Sequence, residues 1–191
     1  YNRVLLEKWG KDWVTANTKL KQKVLVVSYH AEEWTRVRFA GSLFALKAGG
    51  AAAQAGYGPD ASNYGFTFYQ HVRTPIHLAR QLVCKYALDN GFDVLIQLDD
   101  DAADIPSDLI ARFLSHGKEV VTALAYQRKP PYLPCIYELV APDSVNGNPL
   151  IGWEHTGLRR VDISGFHCSM IKLSAIKKME DAGIKEYWGG F

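Results

Sequence analysis

The chain has no apolar run long enough to cross a membrane. None of its 191 residues lies in a stretch approaching the roughly 18–20 apolar residues of a spanning helix, and nothing in it reads as a signal peptide. It also has little excess charge. The 22 Lys and Arg against 20 Asp and Glu leave a net +2, which neither suggests nor excludes an electrostatically driven nucleic-acid binder. Cysteine is sparse: Cys84, Cys135 and Cys168 are odd in number and too far apart for a zinc knuckle. Reduced thiols and a cytoplasmic location fit that usage. There is no GxGxxG or Walker pattern, so the Gly/Ala-rich residues 49–59 are expected to be a flexible connector. An internal repeat is also lacking. The first residue is Tyr1 rather than methionine, which reads as a trimmed or partly observed product.

What the chain does have is Asp99-Asp100-Asp101, directly after the apolar run Val94-Leu95-Ile96-Gln97-Leu98. A short aliphatic run after Gly91 predicts a buried strand of a parallel sheet, and ligands of open α/β sheets gather at the carboxyl ends of such strands. If the extended geometry continues, Asp99 and Asp101 share a face. Two like charges about 4 Å apart repel by roughly 4 kcal/mol at an effective dielectric near 20. A hard divalent cation, Mg²⁺ or Mn²⁺, relieves that and brings substrate phosphates with it. The competing explanation is helix-dipole complementation before a helix running from Pro106 to about His116. An EF-hand is a poor match, since Ala103 and Ile110 stand where ligands are needed and no loop glycine follows.

The order of elements argues for an α/β fold with a mostly parallel sheet. Residues 2–20 are expected as a peripheral amphipathic helix, and 24–28 as the first strand. A helix is expected over about 32–47, a strand over 66–70, and a helix over 76–90 with Leu78, Leu82, Val83, Tyr86 and Ala87 buried. The aspartate strand and the Pro106 helix come next, then a strand over 119–126. The last third changes character: short strands over 135–140, 150–153 and 158–163, divided by turn residues, predict an antiparallel addition. A strand over 169–173 and a helix over 174–182 complete it. Ser28, Tyr29 and His30, ending the first strand, are expected beside a nucleotide base by position alone.

Several segments in this order resemble a nucleotide-sugar glycosyltransferase of GT-A fold, of the small family-2-like bacterial and phage type. Lys23-Val24-Leu25-Val26-Val27-Ser28 looks like its first nucleotide-binding strand, and Thr74-Pro75-Ile76-His77-Leu78-Ala79-Arg80-Gln81 is similar to its arginine-bearing helix start. Gln97-Leu98-Asp99-Asp100-Asp101 with Ile105-Pro106-Ser107-Asp108-Leu109 resembles the DxD strand and the helix after it. Residues 120–134 resemble the next strand and an acceptor-facing loop. Val161-Asp162-Ile163-Ser164-Gly165-Phe166-His167-Cys168 is similar to the glycine-containing strand that closes the site. The likeness spans about residues 23–191, and implies one Rossmann-like GT-A domain with helices on both sheet faces. Within it, 1–22 would be a peripheral helix, 23–126 the nucleotide-binding part, and 127–191 an acceptor-side part, incomplete at its end.

The resemblance implies a nucleoside-diphosphate sugar donor, a UDP-sugar by preference, and Mn²⁺ or Mg²⁺ held by Asp101, with Asp99 and His167 as further ligands. Asp99 would alternatively meet the ribose, Asp100 the donor sugar, and Arg80 the nucleotide or pyrophosphate. The family's catalytic base lies beyond an aromatic segment like Tyr187-Trp188-Gly189-Gly190-Phe191, so an acidic pair is expected after Phe191. Glu154 and Asp162 are the local substitutes. The acceptor stays open: a glycan, a protein, a lipid-linked sugar or a modified DNA base. So do two other activities, a nucleotidylyltransferase and a non-catalytic module that binds nucleotide-sugar or glycan.

Overall fold

The computed structural model describes residues 22–30, 37–54, 64–102, 104–142, 144, 146–151 and 157–184. The helix expected over 2–20, Glu154 and the aromatic segment 187–191 lie outside them. In chain order the elements are β1 (Gln22–His30), α1 (Val37–Gln54), β2 (Tyr64–Val72), α2 (Ile76–Asp89), β3 (Val94–Asp99), α3 (Leu109–Ser115) and β4 (Val120–Thr122). Then follow β5 (Ile136–Leu139), β6 (Gly147–Pro149), β7 (Ile163–Ser164), β8 (Cys168–Lys172) and α4 (Leu173–Asp181).

The fold is α/β. A five-stranded sheet has the order β2-β1-β3-β8-β4. β1 pairs in parallel with β2 and β3, and β8 runs antiparallel between β3 and β4. The central strands are apolar on both faces because helices cover both. On one face α1 and α3 pack Phe39, Leu43, Leu46, Leu109, Ile110 and Phe113 against Val24, Val26, Ile96, Leu98 and Met170. On the other, α2 and α4 pack Ala79, Val83, Ala87, Leu173 and Ile176 against Leu25, Val27, Leu95 and Ile171. A separate antiparallel sheet, β6-β5-β7, lies in the last third, before β8 and α4 return to the main sheet.

Several expectations shift. Helix α1 continues through Gln54, so the glycines at 49 and 50 belong to a helix rather than to a connector; residues 55–63 are outside the described set. The buried stripe of α2 is Ala79, Val83, Cys84 and Ala87. Leu78, Leu82 and Tyr86 are instead 40%, 48% and 46% exposed. Small side chains let this helix sit close to the sheet, and Tyr86 stacks on Tyr69 with ring centroids 6.0 Å apart. Helix α3 starts three residues after Pro106, which sits in a turn where Leu109 N–H donates to its carbonyl at 3.1 Å. The expected turn at Gly147 is strand β6 instead. A Cβ there would come within 2.7 Å of the Tyr137 Cβ, so glycine permits the close pairing with β5. Of the strand expected over 158–163, only Ile163 joins β7.

Ile96 is fully buried in the central strand β3. Ile96→Ala is expected to cost about 3 kcal/mol, a core truncation with incomplete collapse. Urea unfolding should show a lower midpoint with an unchanged m-value; an unchanged midpoint would contradict the packing described.

Candidate active site

The parallel strands β1, β2 and β3 deliver their carboxyl ends to one cleft of about 550 Å³. Its walls carry Tyr29 and His30 from β1, His71 from β2, Arg73 and Thr74 from the turn after it, and Asp99, Asp100 and Asp101. Register explains the convergence, since Tyr29 stands opposite both His71 and Asp99. The extended geometry does not persist past Asp99. The chain turns there, with Ala102 N–H donating to the Asp99 carbonyl at 3.1 Å. A tight turn, not strand alternation, therefore brings Asp99 and Asp101 into the same cleft.

Each of these two carboxylates has an arginine. Arg80, near the start of α2, donates from Nη2 to Asp99 Oδ1 at 3.0 Å. Its guanidinium lies 5.8 Å from the Tyr29 ring centroid and 5.5 Å from that of Phe166. Arg128, from the loop after β4, forms an ion pair with Asp101. No sequence signal marked Arg128, because its partner is distant in the chain. His71 and Arg73 were also missed as cleft residues. For His71 the signal was available, since it lies near the carboxyl end of its strand as His30 does. Arg73 is a non-glycine residue at φ 58°, a backbone state that tends to occur where function holds it.

Burial sets the protonation states. Tyr29 donates its hydroxyl to Gln97 Oε1 at 2.9 Å; burial pushes its pKa well above the ordinary range, against the opposing influence of Arg80. It is a hydrogen-bonding group rather than a base. His30 Nε2 and Ser28 Oγ are 2.9 Å apart, so Ser28, fully buried, supports His30 from beneath. Burial lowers the His30 pKa, with Asp100 opposing. His167 stands beside Asp99 through its backbone, its carbonyl accepting the Asp99 N–H at 2.8 Å. Burial lowers its imidazole pKa too, with Asp99 opposing, and its Nδ1 has no hydrogen-bond partner. The neighbouring Cys168 thiol is pushed up to about 12, chiefly by burial, so it stays protonated; all three cysteines are free. Asp162 does not join the cleft. Its Oδ2 accepts the Leu139 N–H at 3.0 Å and braces the small sheet.

Among the described residues no three His, Cys, Asp or Glu side chains converge into a metal cage. Magnesium-type ions ask for less, namely one or two carboxylates with phosphate oxygens completing the shell. The hard oxygens of Asp99, Asp100 and Asp101 suit that donor set, whereas His167 lies outside the lining of this cleft. No helix among the described residues is long and apolar enough to cross a membrane.

No protein-family pattern and no curated protein sequence matches the chain. Among solved structures, A197 from STIV is 16% identical, with a TM-score of 0.47 over 81% of this chain and 67% of that one. The 4-diphosphocytidyl-2C-methyl-D-erythritol synthase from Anaerococcus prevotii is 11% identical, with a TM-score of 0.43 over 90% of this chain and 80% of that one. Likenesses of this size carry no argument about activity; the fold rests on the strand order and pairing given above.

The histidines make stability pH-dependent. His167 and His30 have folded pKa values below their ordinary 6.5, so the unfolded chain binds more protons as the solution is acidified. Their contribution is complete above that value and is lost as pH falls through the folded pKa. Urea midpoints should fall on acidification from neutrality to about pH 5, and His167→Gln should flatten the slope; an identical slope would remove His167 from the account.

Proposed function

We propose that the chain is a metal-dependent glycosyltransferase, moving a sugar from a nucleoside-diphosphate sugar, a UDP-sugar by preference, to an acceptor hydroxyl. The observation that carries this reading is the meeting of Tyr29, His30, His71, Arg80 and three aspartates at the carboxyl end of one sheet. Ligands of open α/β sheets bind there. An aromatic and imidazole wall suits a nucleoside, and an acidic end suits a cation-bound diphosphate. The resemblance of five segments in order supports the same reading.

In the transfer, the bond between the sugar's anomeric carbon and the diphosphate oxygen breaks, and the diphosphate leaves with the electron pair. The acceptor oxygen bonds to that carbon and gives up its proton to a base. Arg80 would meet charge on the diphosphate while keeping Asp99 oriented. Tyr29, protonated and tied to Gln97, would hold its ring fixed beside the base. Asp101 and Asp99, with Asp100 beside them, would hold Mn²⁺ or Mg²⁺. When bound, such an ion supplies Lewis-acid neutralisation of the leaving diphosphate. The nucleotidylyltransferase alternative uses a similar cleft but releases pyrophosphate instead of a nucleoside diphosphate. The segment Ser28-Tyr29-His30-Ala31-Glu32 lacks the glycine-rich phosphate loop that this alternative needs.

Calorimetry with UDP and GDP is expected to show tighter binding with Mn²⁺ than with chelator, and UDP ahead of GDP. Equal affinity in chelator would sink the metal bridge. Asp101→Asn is expected to lower turnover on the order of 100-fold. Its stability should change by less than about 1 kcal/mol, because only an ion pair to the largely exposed Arg128 is lost. Transfer at the parent rate would remove Asp101 from the mechanism.

A further inference from the structure

A second cavity, of about 570 Å³, also has Asp101 in its wall. Among the described residues Asp101 is the one side chain common to its wall and that of the aspartate cleft. His167 also lines this second wall. Most of the remaining lining is apolar, with Ile105, Leu109, Phe113, Val121, Leu124 and Leu158, and Asp104, His116 and Thr122 add polar groups. Arg112, at the margin, is engaged by Asp108 at 2.8 Å, and Arg159 by Glu138 at 3.2 Å. Both pairs are solvent-exposed, so these cations stay at the rim of the apolar stretch and do not interrupt it.

A cavity left by imperfect core packing would be apolar throughout and closed. This one has carboxylates and imidazoles in its wall and shares Asp101 with the first cleft. Its walls suit an amphipathic small molecule, with a hydroxylated head at Asp101 and an apolar body along α3 and Leu158. Along Ile105, Leu109, Phe113, Val121, Leu124 and Leu158 a fully polar sugar would strip its hydroxyls of water against side chains that offer no hydrogen bond. An aryl or alkyl body loses nothing by doing so and gains from burial.

We propose that this second cavity is the acceptor site, and that the acceptor couples a hydroxylated head to an aromatic or aliphatic body. The inference rests on the transferase reading above, and deepens it by naming the acceptor class. The two substrates would then meet at Asp101, the donor from the aspartate cleft and the acceptor from the apolar cavity.

The test uses phenyl, hexyl and methyl β-D-glucosides, whose heads are identical and whose bodies differ. Binding is measured by saturation-transfer NMR and calorimetry on the full chain, with UDP and Mn²⁺ titrated separately. Phenyl or hexyl glucoside should bind at least about tenfold more tightly than methyl glucoside, the reward for burying an apolar group. A preference for phenyl identifies an aromatic acceptor body, and a preference for hexyl an aliphatic one. Leu158→Asp places a charge on an exposed stretch of the wall, and Ala125→Trp fills the cavity from the loop after β4. Both should abolish the preference and leave UDP affinity within about twofold, since neither residue lines the aspartate cleft. Circular dichroism checks the fold of each variant. Equal binding of the three glucosides, or a preference that survives both variants, overturns the inference. A preference lost in the variants while UDP fails to bind the parent chain upholds the cavity's ligand class and overturns the transferase reading instead.

Discussion

Three successive carboxylates at the end of a buried strand need opposite charge close by, and the site is organised around that need. A pair of carboxylates about 4 Å apart repels by roughly 4 kcal/mol at an effective dielectric near 20. Arg80 answers Asp99 from α2 and Arg128 answers Asp101 from the loop after β4. The two arginines differ in kind. Arg80 is clamped between the Tyr29 and Phe166 rings and its side chain is 18% exposed, whereas that of Arg128 is 71% exposed. The partly buried pair fixes geometry. The exposed one holds its place weakly and can give way to an incoming cation at little cost. Of the two arginine-paired carboxylates, Asp101 is therefore the more open to exchange, and it is also the one that both cavities share.

The antiparallel strand β8 completes this arrangement. Wedged between β3 and β4, it enters the sheet at the end where the parallel strands leave it. Its first residues thus lie beside the aspartates. The bond from Asp99 N–H to the His167 carbonyl fixes that approach, and Thr122 pins the preceding turn by donating to the Gly165 carbonyl at 3.1 Å. An all-parallel sheet would have carried the start of its last strand to the opposite end. The one antiparallel neighbour is what places an imidazole behind the acidic turn.

Much of this could be read from the residues, and the failures have physical causes. The aliphatic runs at Val24-Leu25-Val26-Val27 and Val94-Leu95-Ile96 marked the central strands because both faces are covered, so no alternation was needed. The aspartates and His30 could be placed because strand ends define the cleft. The buried face of α2 was misassigned because size was taken as the guide, while close helix–sheet packing selected Ala79, Cys84 and Ala87. The glycines of α1 were misjudged because a glycine weakens a helix by only about 1 kcal/mol, which packing of Phe39, Leu43 and Leu46 outweighs. The shared face of Asp99 and Asp101 came out right in location for the wrong reason, since the strand had already ended. Arg128 was beyond reach: an ion pair across 27 positions of irregular chain leaves no periodic trace.

The distribution of unpartnered polar atoms points the same way as the aspartates. Among the described residues the buried side-chain atoms without a hydrogen bond are both ring nitrogens of His71, Arg80 Nε, Gln97 Nε2, His167 Nδ1 and Ser169 Oγ. Such an atom costs about 1–3 kcal/mol when left unpaired, and natural cores hold few of them. Were these ordinary packing faults, they would be scattered along the sheet. Instead they cluster: His71 ends β2, Gln97 precedes the aspartates, Ser169 stands opposite Gln97 in the next strand, His167 precedes β8, and Arg80 reaches in from α2. The other end of the sheet, where Val94, Leu95 and Ile171 pack, contributes none. A fold that is satisfied at one end and polar without partners at the other concentrates its local cost where binding would repay it. The carboxyl end of the sheet is thus marked twice, by charge and by unspent hydrogen-bonding capacity, and the two marks fall on neighbouring residues of the same strands.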